Sequence, residues 1–438
     1  MQRVLIAVII LYFLSCASKA NAVPRFSRQT GLSCSSCHSN PPELTAFGRD
    51  FKIHGYVLTD KSLNDEVVKK DLWLSRSVPL SAMIQISDTA FQTEEPKTQN
   101  NAVEFPQQLS LFIAGKFAPH FGGLAQITYS HSSDHFSMDN TDLRFASKKE
   151  IGGKDWEYGI TLNNNPTVED PWNSTPAWGF PWVSGDSAVG PIAAPVIDGA
   201  LAQDVAGLGA YNMWNHHLYT DVSFYRSEHA GAPTPVTGTG QAYNIDGVAP
   251  YWRAAWQQRF GSNYLEFGTY GIYLQSFPGT VSGVRDRYVD PSLDFQYERP
   301  FGSRLLDLHG TYTYEKSALN ATFGAGGATA KNNHLNFEKL DSTFHWGSKY
   351  GATGALFSTS GDADPLLYAP APVTGSNNGS PNSNGYTIQF SYWPVQNLDL
   401  STSYTGYWKF NGASSNYDGA NRSATDNNSL YITLWLIL

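Results

Sequence analysis

Two cysteines and a histidine stand together near the N-terminus, in the run Cys34-Ser35-Ser36-Cys37-His38. Two thiols three residues apart, followed at once by an imidazole, form the attachment pattern for a c-type haem. Each thiol adds to one vinyl group of the porphyrin, and the next residue is then held below the iron, where an imidazole nitrogen binds it. The motif therefore predicts one covalent haem c, with Cys34 and Cys37 forming the two thioether bonds to the porphyrin and His38 as the proximal iron ligand.

Two other uses of a Cys-x-x-Cys pair fit this chain less well. A structural zinc site needs four ligands, and the sequence contains no second cysteine pair. A redox dithiol belongs to an alternating pattern of strands and helices, which is absent here. The third cysteine, Cys16, lies in the export segment described below, so we expect the mature chain to contain no disulfide.

Residues 1–22 have the layout of a secretory signal peptide. Arg3 gives a basic start, Val4–Leu14 is apolar, and Ala20–Ala22 is a small-x-small cleavage site. The apolar run is shorter than the roughly 20 residues that cross a bilayer, which argues against a membrane anchor. A lipoprotein cut before Cys16 is the alternative. After Ala22 no run of 18 apolar residues occurs, so any membrane insertion must be by β-strands.

The composition narrows the class of protein further. The 438 residues are 15% charged and 14% aromatic, with 39 Gly and 24 Tyr, which is too few charges and too many aromatics for an ordinary soluble enzyme. A net charge of −9 argues against a nucleic-acid partner.

Residues 23–77 are interpreted as a small monohaem cytochrome domain. Within it, residues 43–56 predict a short helix that carries four apolar side chains able to cover the porphyrin. These side chains are Leu44, Phe47, Phe51 and Ile53. A segment of this size has little core of its own, so we expect it to depend on the rest of the chain for support.

Residues 78–438 alternate polar and apolar side chains with a period of two, which predicts strands with one apolar face. Short turns alternate with long connections rich in Gly, Ser, Asn and Pro. Sixteen strands are predicted, at 81–92, 107–118, 122–131, 141–148, 155–163, 205–213, 217–227, 249–260, 263–276, 288–299, 302–316, 333–347, 350–360, 385–394, 397–410 and 428–438.

This sorting of connections is typical of an outer-membrane barrel, with short turns in the periplasm and long loops outside. The first strand then rises from the periplasm, so the N-terminal segment enters from that side. The last strand carries Leu430, Ile432, Leu434, Leu436 and Leu438 on one face, as a lipid-facing closing strand requires. The predicted fold class is all-β transmembrane: a sixteen-stranded antiparallel β-barrel in the outer-membrane lipid, with a small α-helical cytochrome domain plugging its lumen.

The sequence resembles a family of fused outer-membrane monohaem cytochrome–porins found in iron-oxidising bacteria. The resemblance implies a c-type haem domain housed in a sixteen-stranded barrel, extracellular Fe(II) as electron donor, and a periplasmic c-type cytochrome or copper protein as acceptor. It is clearest at the haem end and in the first half of the barrel, in Arg28–Gly31, Cys34–His38, Pro42–Arg49, Pro106–Phe112, Asn163–Trp172 and Thr175–Pro181.

Two alternatives to inward electron transfer stay open at this stage. One is a porin whose haem segment gates or plugs the channel, and the other is outward electron transfer to an extracellular acceptor. Inward electron transfer has the chemistry of an Fe(II):cytochrome c oxidoreductase. The sequence does not decide whether the chain is an enzyme.

The sixth iron ligand is the main local question. His54 lies on the predicted helix, which we expect to fold back over the porphyrin, and it is the preferred distal ligand because His is a common axial partner of haem. Met83, an open site or a barrel histidine such as His309 are the alternatives. Arg49 and Lys52 are candidates to pair with the haem propionates, and equally to face solvent or luminal carboxylates.

A single haem cannot bridge a hydrocarbon core of about 30 Å, so we expect it within the lumen and near the outer loops. Carboxylates suit an iron ion, and Glu169-Asp170, in a long aromatic loop, is the preferred donor site. Asp142 and Arg144 share one strand face and predict a luminal ion pair. The other loop candidates for the donor site are Glu94, Glu95, Asp134, Asp139, Asp362 and Asp364.

Overall fold

The computed structural model describes residues 25–39, 43–58, 66–69, 72–75, 78–96, 100–174, 188–228 and 243–438. The predicted signal peptide, with Cys16, lies outside these residues. Over the part of the chain that is described, no helix is long and apolar enough to cross a membrane.

Strands dominate the described chain. A two-stranded hairpin that the sequence did not predict comes first, formed by β1 (Glu66–Lys69) and β2 (Leu72–Ser75). The remaining strands are β3 (Leu80–Phe91), β4 (Ala102–Ala118), β5 (Phe121–Ser130), β6 (His135–Ile151), β7 (Lys154–Asn163), β8 (Val205–Trp214), β9 (Leu218–Ser227), β10 (Ala249–Phe260), β11 (Asn263–Ser276), β12 (Asp286–Phe301), β13 (Arg304–Ala318), β14 (Asn332–Trp346), β15 (Tyr350–Gly361), β16 (Ser383–Val395), β17 (Leu398–Lys409) and β18 (Ser429–Ile437).

The sixteen strands β3–β18 form one closed antiparallel barrel, in which each strand pairs with its neighbours in chain order. The barrel closes where β18 pairs with β3, from Ser429 opposite Phe91 to Ile437 opposite Met83. The predicted strand count and the antiparallel closure are therefore confirmed. Short helices complete the described chain: α1 (Arg25–Thr30), α2 (Cys34–Cys37), α3 (Ala46–Ile53), α4 (Pro166–Glu169), α5 (Asn320–Gly324) and a 3₁₀ turn at Ala424–Asn427.

Side chains alternate between the two faces of the barrel wall, because successive residues of a strand point in opposite directions. On β12, Leu293 is 60% exposed on the outside, whereas Asp294 and Gln296 are buried on the luminal side. The last strand follows the prediction, with Leu430 and Ile432 outside. Large apolar side chains cover the outer face of many strands, among them Ile160, Leu162, Leu208, Val222, Phe224, Phe267, Leu356 and Ile388.

The connections separate the barrel into a short-turn end and a long-loop end, as predicted. At the short-turn end, strands are joined by tight turns such as the one at Gly302, whose φ of +62° favours glycine. β3 begins and β18 finishes at this end. One connection on the opposite side is shorter than expected, because β5 and β6 are joined through residues 131–134 only. Asp139 consequently lies on β6 and not in a loop.

Helices α1–α3 lie against luminal side chains of the barrel. The backbone N–H of Arg25 donates to Ser81 Oγ on β3 over 2.7 Å. The hydroxyl of Tyr56, just after α3, donates to Asp142 Oδ2 on β6 over 2.6 Å. Asp142 in turn pairs with Arg144 over 2.8 Å, both fully buried, which confirms the predicted luminal ion pair. The N-terminal segment is therefore tied to the inner wall at several points.

Candidate functional site

The Cys-Ser-Ser-Cys motif forms a single helical turn, α2. The N–H of His38 donates to the carbonyl of Cys34 over 2.8 Å and closes the turn. Residues three apart on a helix are neighbours on one face, so the turn presents both thiols to the same side. Both cysteines are free thiols.

Helix α3 is fixed against this turn by the residue that caps it. Thr45 Oγ1 accepts from the N–H of Gly48 over 3.2 Å and donates to the carbonyl of Ser36 over 2.8 Å. The contact is so close that a Cβ at Gly48 would lie 2.1 Å from the carbonyl oxygen of Cys37. Only glycine therefore allows α3 to approach the motif in this way.

The ring of His38 is oriented by a backbone contact. Its Nδ1 lies 3.2 Å from the carbonyl oxygen of Glu43. A carbonyl accepts only, so Nδ1 carries the proton in this contact and the lone pair of the ring is on Nε2. A metal-binding histidine is commonly oriented in this way, by a hydrogen bond from the ring nitrogen that does not bind the metal.

A pocket opens between the N-terminal helices and the inner wall of the barrel. Its empty space, part of it open to solvent, is about 1540 Å³. The three residues of the motif line it, together with mostly apolar side chains from α3, three barrel strands and the last strand. The lining residues include Phe26, Cys34, Cys37, His38, Leu44, Phe51, Lys52, Met83, Phe112, Ala114, Leu124 and Trp435.

The predicted helix contributes two of its four apolar side chains to this pocket. Leu44 and Phe51 line it, and Phe51 packs edge-on to Phe26 with ring centroids 5.4 Å apart. Phe47 instead points outward and is exposed. Ile53 packs in a separate cluster with Trp172 and neighbouring barrel side chains. The position of Ile53 follows from helical geometry, since residues two apart, such as Phe51 and Ile53, do not share one face.

The structure brings Met83 to the pocket and leaves His54 outside it. Met83 points inward from β3, is 4% exposed, and lines the pocket with the motif. His54 is the C-terminal cap of α3; its Nδ1 contacts the carbonyl of Asp50 and its Nε2 lies 3.3 Å from Glu157 on β7. His309, on β13, does not line the pocket either.

Arg49 and Lys52 take different partners. Arg49 pairs with a luminal carboxylate, Glu298, over 2.5 Å and stands 4.3 Å above the ring centre of Tyr264, away from the pocket lining. Lys52 lines the pocket and donates to the carbonyls of Val168 and Asp170. Burial, with a smaller contribution from the nearby Arg144, lowers the pKa of Lys52 to about 8.

Electrostatics in the pocket does not favour a redox dithiol. Burial raises the pKa of Cys34, and burial with the neighbouring Cys34 raises the pKa of Cys37 to about 11. Reactive dithiols need the opposite shift, because the thiolate is the nucleophile. A zinc site is not formed either, since no cluster of three or more metal-binding side chains among the described residues includes a cysteine.

The pocket lies near the short-turn end of the barrel. The N–H of Cys34 donates to Gln396 Oε1, in the turn between β16 and β17, over 2.9 Å. The pocket therefore lies at the end of the barrel away from most of the long loops, whereas the sequence led us to expect the haem close to them. One long connection does reach the pocket. The segment after β7 extends into the lumen, and its Asp170 and Pro171 line the pocket.

The preferred donor carboxylates are structural ties and not exposed ligands. Glu169 is buried and accepts from the hydroxyls of Ser223 and Tyr225. Asp170 is buried and pairs with Arg253 over 3.0 Å. Asp364, in the connection after β15, is also buried and accepts from backbone N–H groups. These three carboxylates are occupied in holding loops against the barrel.

In comparisons by sequence, no protein-family model and no curated protein matches the chain. Solved structures with a similar barrel include a Salmonella typhi OmpF complex with daunomycin, at 10% identity and a TM-score of 0.47, covering 85% of this chain and 100% of that one. The outer-membrane channel DcaP of Acinetobacter baumannii gives 11% identity and 0.46, covering 82% and 96%. OmpT of Vibrio cholerae in its trimer form gives 9% and 0.44, covering 82% and 98%. Values this low carry no argument about function, and the barrel is established by the chain's own strand pairing.

Proposed function

We propose that this protein is an outer-membrane electron-transfer barrel that holds one haem c in its luminal pocket. The observation that carries the proposal is the convergence of Cys34, Cys37, His38 and Met83 on one apolar cavity inside a closed barrel. Two thiols on one helical turn, an oriented imidazole and a facing thioether form the donor set of a His/Met c-type haem.

The side chains present fit that group. Cys34 and Cys37 would tether it, His38 would bind one axial side of the iron, and Met83 would replace His54 on the other. Lys52 would be a cation for a propionate, as would Arg25, because both line the pocket and Arg49 does not. A haem held here supplies reversible one-electron chemistry, and the apolar walls keep water from it.

The outer face of the barrel supports placement in the outer membrane. Strand after strand presents large apolar side chains outward, while the luminal face is polar. Contact with lipid is favourable for such an apolar face, whereas its exposure to water is not. The short-turn end then faces the periplasm, so the pocket lies where a periplasmic c-type cytochrome or copper protein can accept electrons.

Electron uptake from extracellular Fe(II) is the direction we favour. The resemblance of the haem end to cytochrome–porins of iron-oxidising bacteria supports it. A second support is the charge of the lumen: among the described residues, buried carboxylates clearly outnumber buried Arg and Lys side chains. An anionic channel raises the local concentration of cations such as Fe(II).

A porin with a haem-bearing plug is the second candidate. The specific observation in its favour is the closed sixteen-stranded wall with a polar inner face, a size that leaves an aqueous channel in porins. Helices α1–α3 and the segment after β7 occupy part of that lumen, as both candidates require, so the measurements below must separate them.

Three measurements on the purified full-length protein test the proposal. Haem staining of the denatured chain should be retained by wild type and lost in the Cys34→Ser/Cys37→Ser double variant. Stopped-flow mixing of the oxidised protein with Fe(II) should reduce the haem. Planar-bilayer recordings should give a blocked pore. Steady permeation of small solutes without reduction by Fe(II) would establish the porin instead.

A further inference from the structure

A second group of side chains converges on the lumen, close to the haem pocket but not part of its lining. Glu43 comes from the segment between α2 and α3, His309 from β13 and Asp341 from β14. One ligand atom from each lies within 4.8 Å of the others, and all three residues are buried. His309 and Asp341 are direct cross-strand partners, so the barrel register holds them together.

His309 gives independent evidence that the cluster is built for a ligand. The residue is 9% exposed, and its Nε2 is a buried atom without a hydrogen-bond partner among the described residues. A buried imidazole nitrogen in that state costs free energy unless something binds it. Glu43 and Asp341 place carboxylate oxygens beside it, and oxygen acceptors together with an imidazole are what a cation requires.

The donor set selects the kind of cation. One imidazole with two carboxylates suits a divalent first-row transition metal such as Fe(II), whereas Ca²⁺ and Mg²⁺ prefer oxygen alone. Donors bound to such an ion lie about 3–4 Å apart, so small side-chain rotations close this cluster. Three protein ligands leave positions for water, and an ion held this way exchanges more readily than one in a closed site.

We propose that Glu43, His309 and Asp341 bind Fe(II) and form the point where electrons enter the haem, an inference that rests on the proposed function. Glu43 joins the two sites, because its backbone carbonyl accepts from Nδ1 of His38. A Glu43 carboxylate on the metal is thus connected to the proximal histidine through one residue and one hydrogen bond. Fe(II) becomes Fe(III) by losing one electron, and the haem iron gains it, from ferric to ferrous; no atom is transferred.

The charges around the cluster are compatible with a bound cation that must also leave. Asp307 adds a further carboxylate near Glu43, and Lys339 places a positive charge on the same side. Lys339 moderates the negative charge, so the site does not hold its ion too tightly. Removing that charge should therefore strengthen cation binding.

Binding is tested with Co(II), which neighbours Fe(II) in the affinity series and leaves the haem oxidation state unchanged. Equilibrium dialysis of the full-length haem-loaded protein should give one bound Co(II) per chain. His309→Gln and Asp341→Asn should each weaken binding by about 10-fold or more, because even the loss of a residue that only orients a metal ligand costs roughly 10-fold or more in affinity. Lys339→Gln should tighten it.

His345→Gln is the matched control. His345 lies on the same strand as Asp341, is also buried, and also has an Nε2 without a hydrogen-bond partner among the described residues, but no carboxylate cluster surrounds it. This variant should bind Co(II) like wild type. An unchanged haem spectrum in every variant establishes that the pocket has folded.

The outcomes separate this inference from the proposed function. Absence of stoichiometric Co(II) binding, or binding unaffected by His309→Gln and Asp341→Asn, overturns the site. If Fe(II) reduces wild type and His309→Gln equally fast, electrons enter elsewhere and the site as an entry point is refuted, while the electron-transfer function stands. If Co(II) binds at the cluster but Fe(II) never reduces the haem, the proposed function fails and with it the role of the cluster in electron entry.

Discussion

The guanidinium of Arg49 on α3 donates from Nη2 to Oε1 of Glu298 on β12 over 2.5 Å. Arg49 is almost completely buried, and its guanidinium also lies over the ring of Tyr264. This pair joins the N-terminal segment to β12 of the barrel wall by a charged contact that is shielded from water. It is therefore an anchor of the segment that carries the Cys-Ser-Ser-Cys-His motif.

Removing one partner of a buried ion pair leaves the other charge buried and uncompensated, which costs about 3–5 kcal/mol. Arg49→Met should therefore loosen the N-terminal segment, seen as faster proteolysis of that segment and as a larger bilayer current. Arg259→Met is the control, because Arg259 and Asp50 form an exposed pair at 3.8 Å. Such pairs contribute about 0–1 kcal/mol. Equal behaviour of the two variants would contradict an anchoring role.

Met83 and His54 make opposite spectroscopic predictions. Met83→Ala should abolish the sulfur-to-iron absorption of a His/Met haem and convert the iron to another spin state or ligand. Met83→His should keep a low-spin haem and lower its potential, since Met ligation raises the potential. His54→Ala should change neither, because its ring contacts Asp50 and Glu157. Loss of the low-spin spectrum in His54→Ala alone would restore His54 as the ligand.

The thiol of Cys37 should react slowly in protein produced without haem. Its pKa of about 11 means that little thiolate is present at pH 8. Alkylation by iodoacetamide should be roughly 100-fold slower than for a thiol with an ordinary pKa. The rate should rise as pH approaches 11, because the reactive thiolate forms by deprotonation. Rapid alkylation at pH 8, measured by mass spectrometry, would favour a redox dithiol.

Gly48→Ala should impair haem attachment. The new Cβ would collide with the carbonyl oxygen of Cys37, so α3 must move away from the motif. Overpacking of this kind typically costs about 1–3 kcal/mol. Gly354→Ala is the control, because a Cβ at Gly354 meets no atom within 4 Å. The haem content per chain, read from the pyridine spectrum, should fall in the first variant and not in the second.

A charge on the outer face of the barrel should destabilise it in a membrane. Ile388 is 60% exposed near the middle of β16. A Lys or Arg at the bilayer midplane of a barrel costs about 2–4 kcal/mol. Ile388→Lys should lower the stability of the barrel in lipid vesicles by this amount, measured by denaturant unfolding, whereas Ile388→Val should change it little. An unaffected lysine variant would place this face in water.

The barrel could be predicted because its information is local. Alternation on β16, where Thr387 is buried and Ile388 exposed, is set by neighbouring residues of one strand. The thiols and the histidine of the motif are equally local. The sixteen strands and the motif were consequently within reach of the sequence.

The rest of the site depends on contacts between distant parts of the chain. The sequence favours His54 as the distal ligand because it lies on the predicted helix and His is a common axial partner of haem. In the structure α3 ends just before His54, and the ring of His54 lies toward β7. The sequence does contain a sign that Met83 faces the lumen, since it is an apolar side chain at a lumen-facing position between Ser81 and Gln85. No local pattern links Glu43 with His309 and Asp341. The barrel register pairs His309 with Asp341, and the segment between α2 and α3 adds Glu43.

The position of the two thiols has a consequence for how the protein is made. Cys34 and Cys37 line a pocket whose other walls are β3, β4, β5 and β18. β3 and β18 form the seam of the barrel, so these walls are complete only when the seam has joined. A ligase large enough to attach a porphyrin could not enter that space afterwards. If the proposed haem is attached here, its attachment must therefore precede seam closure, and the chain already carries its cofactor when the barrel assembles.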